Sequence, residues 1–562
     1  MGVEPIDIAG WIIQLSGVSE IEEDFGGNPE GGTPNGETRK MGRARLESIK
    51  RWSVAAFFSF LAGCLVARST ALYGAGLSPD SADYVRLARD IATNGARFLG
   101  ESKSIEQPPV YPLVLAALSK ATGESVPSAA TAANAAAAAA IVAIVVAAAS
   151  RHTRSISVLA LAGALTCLSI PLTSVWAMAW SEPTFIVFVY YAMHVVSKTR
   201  PTPFSAMGAG LLTAAACLTR YAGIALLPVA TAYVVHATAG GIGRKCRFAM
   251  LYAMPPAAMI AAYACRNWVL CGEPFGRRVP SNSSLAANAT RAMEVLRSWF
   301  SPAPDAFSAT IALAGCVILV AAVWRLRRQL ARALRHSGGA AVLYSSYAAA
   351  HVGFMVWTST TTAFDPINTR LLSPAYPAFP ILLGVALQAT DGLRRRRAHG
   401  VVLACFAAFA FAPARSALET IKVQFMEGAG GYNVRAWRES ETIEYILKGG
   451  MGKTERLYSN APDALYVLAG KEAEMSPRHR YKMNSDVATG VSAGNLFERH
   501  PTLDGALLVW FYNSEWRRYL FTPDELGKTF RLERRQEFAD GAIYRLRRRG
   551  ATDESNAHSV GQ

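Results

Sequence analysis

Carboxylates and guanidinium groups stand at the ends of apolar runs in this 562-residue chain, and they are the side chains best suited to chemistry. The stretch LSPDSADYVRLARDIATNG, residues 77–95, follows an apolar run long enough to cross a bilayer and carries Asp80, Asp83 and Asp90. Ser78 suits an N-cap, Pro79 suits the first helical position, and Asp80 then falls in the first turn. An acid there gains about 0.3–1 kcal/mol from the helix macrodipole. Helix-start chemistry therefore suffices to explain Asp80, and a general base is the alternative. Asp83 and Tyr84 follow on the same helical face. Arg86, Arg89 and Asp90 read as a solvated face.

Further candidates recur along the chain. QPPVYP (107–112) forces an extended backbone before an apolar helix and carries Tyr111, either as a rigid turn or as part of a site. WAMAWSEPTF places Glu182 at a span end, where an ionisable group is expensive unless paired or wetted. Ser181-Glu182-Pro183 is equally a respectable helix start. Trp176 and Trp180 beside it read as interfacial anchors. Arg220 and Tyr221 sit in the tight turn of LTRYAG, Arg266 in RNWVLCGEP, and Arg370 in NTRLLSPAYP. Such arginines either snorkel to lipid headgroups or converge to bind a phosphate. In the second case Asp80, Glu182, Arg220 and Arg370 should line one cavity, with Tyr84, Tyr111 and Tyr221 as aromatic neighbours for a substrate.

The elements that would position these residues are membrane spans. Half of the chain is apolar (51%), and its formal net charge is +16. Arg and Lys cluster in short tracts such as RLRRQLARALR and GLRRRRAHG between apolar runs, which argues for orientation in a membrane rather than for nucleic acid. Apolar runs recur near 52–72, 128–150, 156–177, 183–197, 204–219, 221–238, 248–265, 308–324, 339–357, 371–390 and 400–417. We expect a mainly α, polytopic helical bundle of about eleven transmembrane helices. With the N-terminus inside, every short inner connection is basic: Arg151 and Arg154; Lys198 and Arg200; Arg244, Lys245 and Arg247; the Arg325–Arg335 tract; Arg394 to Arg397. The membrane part spans 51–417, with long outer loops at 73–127 and 266–307.

Residues 1–50, Gly-rich and charged, read as a flexible cytoplasmic tail without a cleavable signal peptide, and Met41 offers a second start. From 418 to 562 we expect an extracytoplasmic α/β domain and a loose tail. Within it RLYSNAPDALYVLAG reads as strand then helix, GALLVWFY as a buried strand, TPDEL as a helix start and GAIYRLRRR as a strand. The eight cysteines show no metal spacing and read as buried, inert thiols, although Cys265 and Cys271 stand close enough in sequence to pair. Asn282 and Asn288 head glycosylation sequons.

In order, PDSADYVRLARDIATNG, QPPVYPLVLA, WSEPTF, LTRYAG, RNWVLCGEP and NTRLLSPAYP resemble the GT-C-type glycosyltransferases, which include protein O-mannosyltransferases and aminoarabinose transferases. The resemblance covers roughly residues 52–390. It implies an inverting transfer of a sugar from a polyprenyl-phosphate carrier to an acceptor hydroxyl on the outer face, the acceptor being a glycan, a lipid or a protein. It places a general base at Asp80. Many relatives have Glu directly after this Asp, whereas Ser81 stands here, so Asp83 shares the candidacy. No Asp-x-Asp pair accompanies Asp80, and His194 and His351 stand alone within spans; no catalytic metal or other cofactor is expected. A transporter or flippase of a lipid-linked glycan is the alternative, though no internal repeat marks one. A scaffold presenting the C-terminal domain would leave the acids and arginines unexplained.

Overall fold

The computed structural model describes residues 34–97, 105–197, 201–300, 339–391, 396–452, 455–482, 484–492, 494–514 and 516–549. The expected span at 308–324, with Cys316, Lys198, Arg200, the Arg325–Arg335 tract, Arg394 and Arg395, lies outside the described residues, as do residues 1–33 and 550–562. The chain divides into two compact units, Met1–Trp52 and Ser53–Gln562. In the first, the described residues are helical from Pro34.

In the second unit each remaining apolar run is helical, but the described helices do not by themselves confirm eleven spans. Among the described residues, four helices are long and apolar enough to cross a membrane: Arg45–Ser69, Val126–Ser150, Ile242–Cys271 and Thr369–Leu387. A fifth arises if the bent pair Ile156–Cys167 and Ile170–Trp176, angled at 51°, is one span. The break falls at Leu168-Ser169, just before Pro171, which cannot donate the backbone hydrogen bond a continuous helix needs. Glu182–Val196 and Pro203–Thr219 are too short: 15 and 17 residues reach only about 23 and 26 Å, against a hydrocarbon core of about 30 Å. Ala340–Thr361 has the length, but its WTSTT end is polar. Phe57, Phe60, Trp268, Val269 and Trp357 project from these helices, as expected for side chains facing lipid.

A large core built on Val142, Trp176, Phe185, Tyr190 and Tyr347 holds the helices together. A second core joins the helices Pro79–Asn94 and Val110–Thr122 to the C-terminal domain, through Tyr84, Tyr111 and Leu115 on one side and Trp437, Leu465 and Val509 on the other. That domain begins beyond the helix Arg396–Glu427. Its sheet contains β1 (Leu457–Ser459), β2 (Glu474–Met475), β3 (Leu507–Phe511), β4 (Phe530–Phe538) and β5 (Gly541–Arg548), in the order β2-β1-β3-β5-β4. β1 runs parallel to β2 and β3, while β5 is antiparallel to β3 and β4. β1, β3 and β5 are the expected strands. β4, FRLERRQEF, escapes sequence pattern because an edge strand is kept charged along its length.

Trp176 is no interfacial anchor. It is buried in the helical core, and its carbonyl accepts a bond from Asn134 Nδ2 at 2.9 Å. His194 is not alone either, since its Nε2 lies 2.8 Å from an Arg151 guanidinium nitrogen. Cys167, Cys217 and Cys405 are buried as expected, whereas Cys64, Cys246 and Cys265 are exposed. Asn288 is buried with its Nδ2 on Thr360 Oγ1 at 3.1 Å, which closes that sequon to modification.

Candidate active site

Two acids are brought together by backbone pairing. Residues 76–77 are extended and lie between two other segments, with bridges from Gly76 to Met178 and from Leu77 to Gly431. Gly76 N donates to Ala177 O and Ala179 N to Gly76 O, both at 2.8 Å. The Gly76–Met178 bridge is parallel, and both chains then turn into helices: Pro79–Asn94 and Glu182–Val196. Asp80 and Glu182 each stand four residues beyond their bridged glycine or methionine, each in a first turn with proline beside it. Ser78 caps the first helix, its Oγ accepting from Ser81 N at 3.3 Å. Two helix N-termini thus point the same kind of charge into one place.

Arginines close the arrangement. Arg220 takes an extended backbone (φ −150°, ψ 131°) at the end of the helix Pro203–Thr219. Its guanidinium lies 2.8 Å from Glu182 Oε1 and donates to Ser181 Oγ at 3.1 Å. Arg370, in the short helix Thr369–Leu372 capped by Asn368, donates through Nε to the same Glu182 oxygen at 2.5 Å and through Nη2 to Asp80 Oδ2 at 2.6 Å. Glu182 is wholly buried. Among the described residues its second oxygen, Oε2, has no hydrogen-bond partner. A buried carboxylate shared by two guanidinium groups holds them in place; losing one such partner typically costs about 3–5 kcal/mol.

Asp80 differs from Glu182 in keeping 39% of its side chain open. Crowding by the surrounding protein pushes its carboxyl up, but the charge and hydrogen bond of Arg370, helped by Arg220 and Lys482, more than offset this and hold it below the usual aspartate range. Asp83 goes the other way. Desolvation, with the charges of Asp463 and Asp80, pushes it up to about 7 against the pull of Arg86. Its nearest cation is Arg86 on its own helix, at 3.6 Å. Arg86 is itself engaged, reaching Glu472 at 3.4 Å and lying over the Tyr466 ring. Ser81, at the position where an acid is commoner, is buried with its Oγ 3.2 Å from Ser78 Oγ. It completes the cap and leaves the cation pairing to Asp80.

The remaining candidates divide. Tyr84 joins the cluster, its hydroxyl 2.9 Å from Ser181 Oγ, and burial raises its phenol above the ordinary range. Tyr111 packs edge-on to Tyr84 at 5.0 Å and serves the core beneath the site. Tyr221 donates to Ile105 O at 3.2 Å and meets Phe275 edge-on. Arg266 donates to Asn267 Oδ1 at 2.8 Å and lies over the Tyr263 ring. Tyr221 and Arg266 therefore form a separate group around Asn267, next to Arg220 in sequence.

Four participants have no clear signal in the sequence. Trp180, expected as a lipid anchor, lies 4.1 Å below the Arg370 guanidinium and donates to Ser78 Oγ at 2.7 Å, so it ties the arginine to the cap of the Asp80 helix. Asp365 is exposed at its surface, yet crowding by the surrounding protein and the charge of Asp80 raise its pKa, with Arg370 opposing. Lys482 acts on Asp80 from the C-terminal domain, whose Asn484 Nδ2 donates to Phe364 O at 2.9 Å. His351 adds a bond from Nε2 to Leu371 O at 3.0 Å, steadying the residue after Arg370. Among the described residues no three His, Cys, Asp or Glu side chains are grouped to hold a metal ion.

No protein-family model matches the chain. No curated protein matches it in sequence. Solved structures do match in fold. ArnT from Cupriavidus metallidurans, in the apo state, superposes over 90% of this chain and 98% of its own, with a TM-score of 0.52 and 14% identity. The chain has the GT-C glycosyltransferase fold. The archaeal oligosaccharyltransferase AglB from Archaeoglobus fulgidus, in complex with an inhibitory peptide and a dolichol-phosphate, covers 83% of this chain and 70% of its own at TM-score 0.50 and 11% identity. The mycobacterial arabinofuranosyltransferase AftD gives TM-score 0.52 and 14% identity over 89% of this chain, which spans only 40% of that longer protein. A GT-C fold and long apolar helices make this a membrane protein.

Proposed function

We propose that the chain is an inverting glycosyltransferase that moves a sugar from a polyprenyl-phosphate carrier to an acceptor hydroxyl at the extracytoplasmic face. The ion network Asp80–Arg370–Glu182–Arg220 carries this reading. The glycosyltransferase fold and the dolichol-phosphate bound by AglB support the class of donor.

In this mechanism the acceptor oxygen attacks the anomeric carbon from the face opposite the phosphate. Its proton passes to the ionised Asp80, the partly open carboxylate of the network. The bond from the anomeric carbon to the phosphate oxygen breaks, and its electron pair leaves on the phosphate. Arg220 and Arg370 stabilise that developing charge, a task for which a planar, permanently charged fork is well matched. One displacement inverts the anomeric centre, so no covalent carboxylate is needed. Glu182 remains the anchor of both arginines, and the positive charge a metal would otherwise supply comes from them.

Basic connections between the apolar runs support an inward N-terminus and an outward sheet domain. The test is transfer by the purified protein in proteoliposomes, using a polyprenyl-phosphate sugar and an envelope extract as acceptor. Inversion at the anomeric carbon, read by NMR of the product, is expected. Retention, or transport of the donor without transfer, would overturn the reading.

A further inference from the structure

Beside the ion network lies a separate cavity of about 480 Å³, within the usual size of small-molecule sites. Its walls come from four parts of the chain: Ser78 and Pro79 next to Asp80, the hairpin around Trp180, Gln424 with the glycine-rich segment beyond it, and Asn513, Ser514 and Trp516 after β3. Among the described residues lining it none is charged. A phosphate finds no ion-pair partner among these described residues and is better served by the arginines.

The lining has another character. Trp180, Trp437, Trp516 and Tyr432 bring aromatic rings to it, and Ser174, Gln424, Asn513 and Ser514 bring neutral polar groups. Trp516 is 47% exposed, a large apolar face left open. Gln424 is 92% buried, and among the described residues its Oε1 has no hydrogen-bond partner, an acceptor that a hydroxyl would satisfy. Flat aromatic rings suit the C–H faces of a sugar, and uncharged amides and hydroxyls suit its hydroxyl groups. Trp180 belongs to both compartments, since Arg370 lies over the same ring.

We propose that this cavity binds the acceptor as a neutral saccharide, held between the helical bundle and the sheet domain with one hydroxyl directed towards Asp80. The proposal rests on the glycosyltransferase reading and narrows its acceptor class: an uncharged glycan end rather than a lipid phosphate or a peptide. It also gives the sheet domain a task, because Asn513, Ser514 and Trp516 form the wall that the membrane part lacks.

Saturation-transfer NMR on the full chain in nanodiscs tests it, with methyl glycosides of neutral hexoses and pentoses as probes. A methyl glucuronide, glycerol phosphate and a short Ser/Thr peptide serve as the contrasts. At least one neutral glycoside should bind, weakening about tenfold in Trp516→Ala and in Gln424→Leu, with Trp516→Phe restoring most of the binding. Polyprenyl-phosphate binding, measured in the same nanodiscs, should be unchanged in all three variants. If no neutral glycoside binds, if the variants bind it equally well, or if a contrast probe competes for the site, the acceptor proposal fails. Loss of polyprenyl-phosphate binding by the unaltered protein would instead sink the glycosyltransferase reading itself.

Discussion

Arg370 Nη2 donates to Asp80 Oδ2 at 2.6 Å, joining residues 290 positions apart. The same guanidinium is held from its other side by Glu182. Asp80 is thereby kept ionised at low pH, yet its partner is also a group suited to a departing phosphate. On the proposed mechanism, a phosphate that drew on Arg370 would take part of the carboxylate's stabilisation away and raise its basicity as the proton is taken.

The pH dependence of transfer separates the two candidate bases. Asp80 lies below the ordinary aspartate range and Asp83 is pushed up to about 7. With Asp80 as base, the rate should stay level between about pH 5 and 8, because the base is ionised throughout. A rate that falls tenfold per unit below pH 7 would transfer the role to Asp83. Asp80→Asn should cost about a hundred- to ten-thousandfold in turnover, while Asp83→Asn should cost little.

Asp83 should show itself in stability instead. Its folded pKa stands above the unfolded value near 3.8, so the folded protein binds more protons than the unfolded chain between roughly pH 4 and 7. Stability should fall as pH rises through that window, by an amount reduced because 39% of the side chain meets solvent. Asp80, with its lowered pKa, stabilises above 3.8 and loses that contribution as pH falls below it. Thermal melts of Asp83→Asn should lack the slope between pH 4 and 7; an unchanged slope would remove Asp83 as its source.

Glu182 should be needed for folding because of the arginines it neutralises. Glu182→Gln leaves both Arg220 and Arg370 short of a buried anion and should destabilise by about 3–5 kcal/mol. Adding Arg220→Gln to that background should cost less than in the native chain, with a coupling of about 0.5–3 kcal/mol in a double-mutant cycle. Additive losses would mean that the short distances carry no energetic link.

Local chemistry made the acids of the site readable. Ser-Pro-Asp and Ser-Glu-Pro are helix starts, so Asp80 and Glu182 could be placed in first turns from their neighbours alone. The pairing of residues 76–77 with both 177–179 and 430–432 could not, because backbone hydrogen bonds between distant segments leave no periodicity in either. Trp180 was misjudged for a related reason. A tryptophan at a span end looks the same whether it meets headgroups or the guanidinium of Arg370. Helix length was the other loss: an apolar run shows that a segment is buried or faces lipid, but a bend such as the one after Cys167 depends on where Pro171 falls relative to the bundle.

Metal removal should leave transfer intact. In the proposed mechanism the two guanidinium groups supply the positive charge at the phosphate, and both acids are partnered by them. Dialysis against a chelator, followed by an assay with and without added magnesium or manganese, should give equal rates. A loss on chelation that either ion restores would require a metal in the mechanism.

The strap from Gly428 to Tyr432 should set the position of Asp80 from outside the cluster. Tyr432 N donates to Leu77 O at 2.6 Å, and Asn433 Nδ2 donates to Ala75 O at 2.7 Å, so the strap grips the segment that feeds the Asp80 helix. Gly431 has φ +62°, and a Cβ there would collide with the Leu77 carbonyl. Gly431→Ala therefore combines a backbone penalty with a push on the residue before the cap. Gly470→Ala provides the control, with φ +64° and nothing for a Cβ to meet. The control should lose about 1–2 kcal/mol and keep its turnover. Gly431→Ala should also lower turnover about a hundredfold, because a displacement near 1 Å at the base is enough for that. Donor binding should persist, since Arg220 and Arg370 are held by Glu182 rather than by the strap. If both variants lose stability equally and neither loses turnover, the strap holds the domain together but does not position the base.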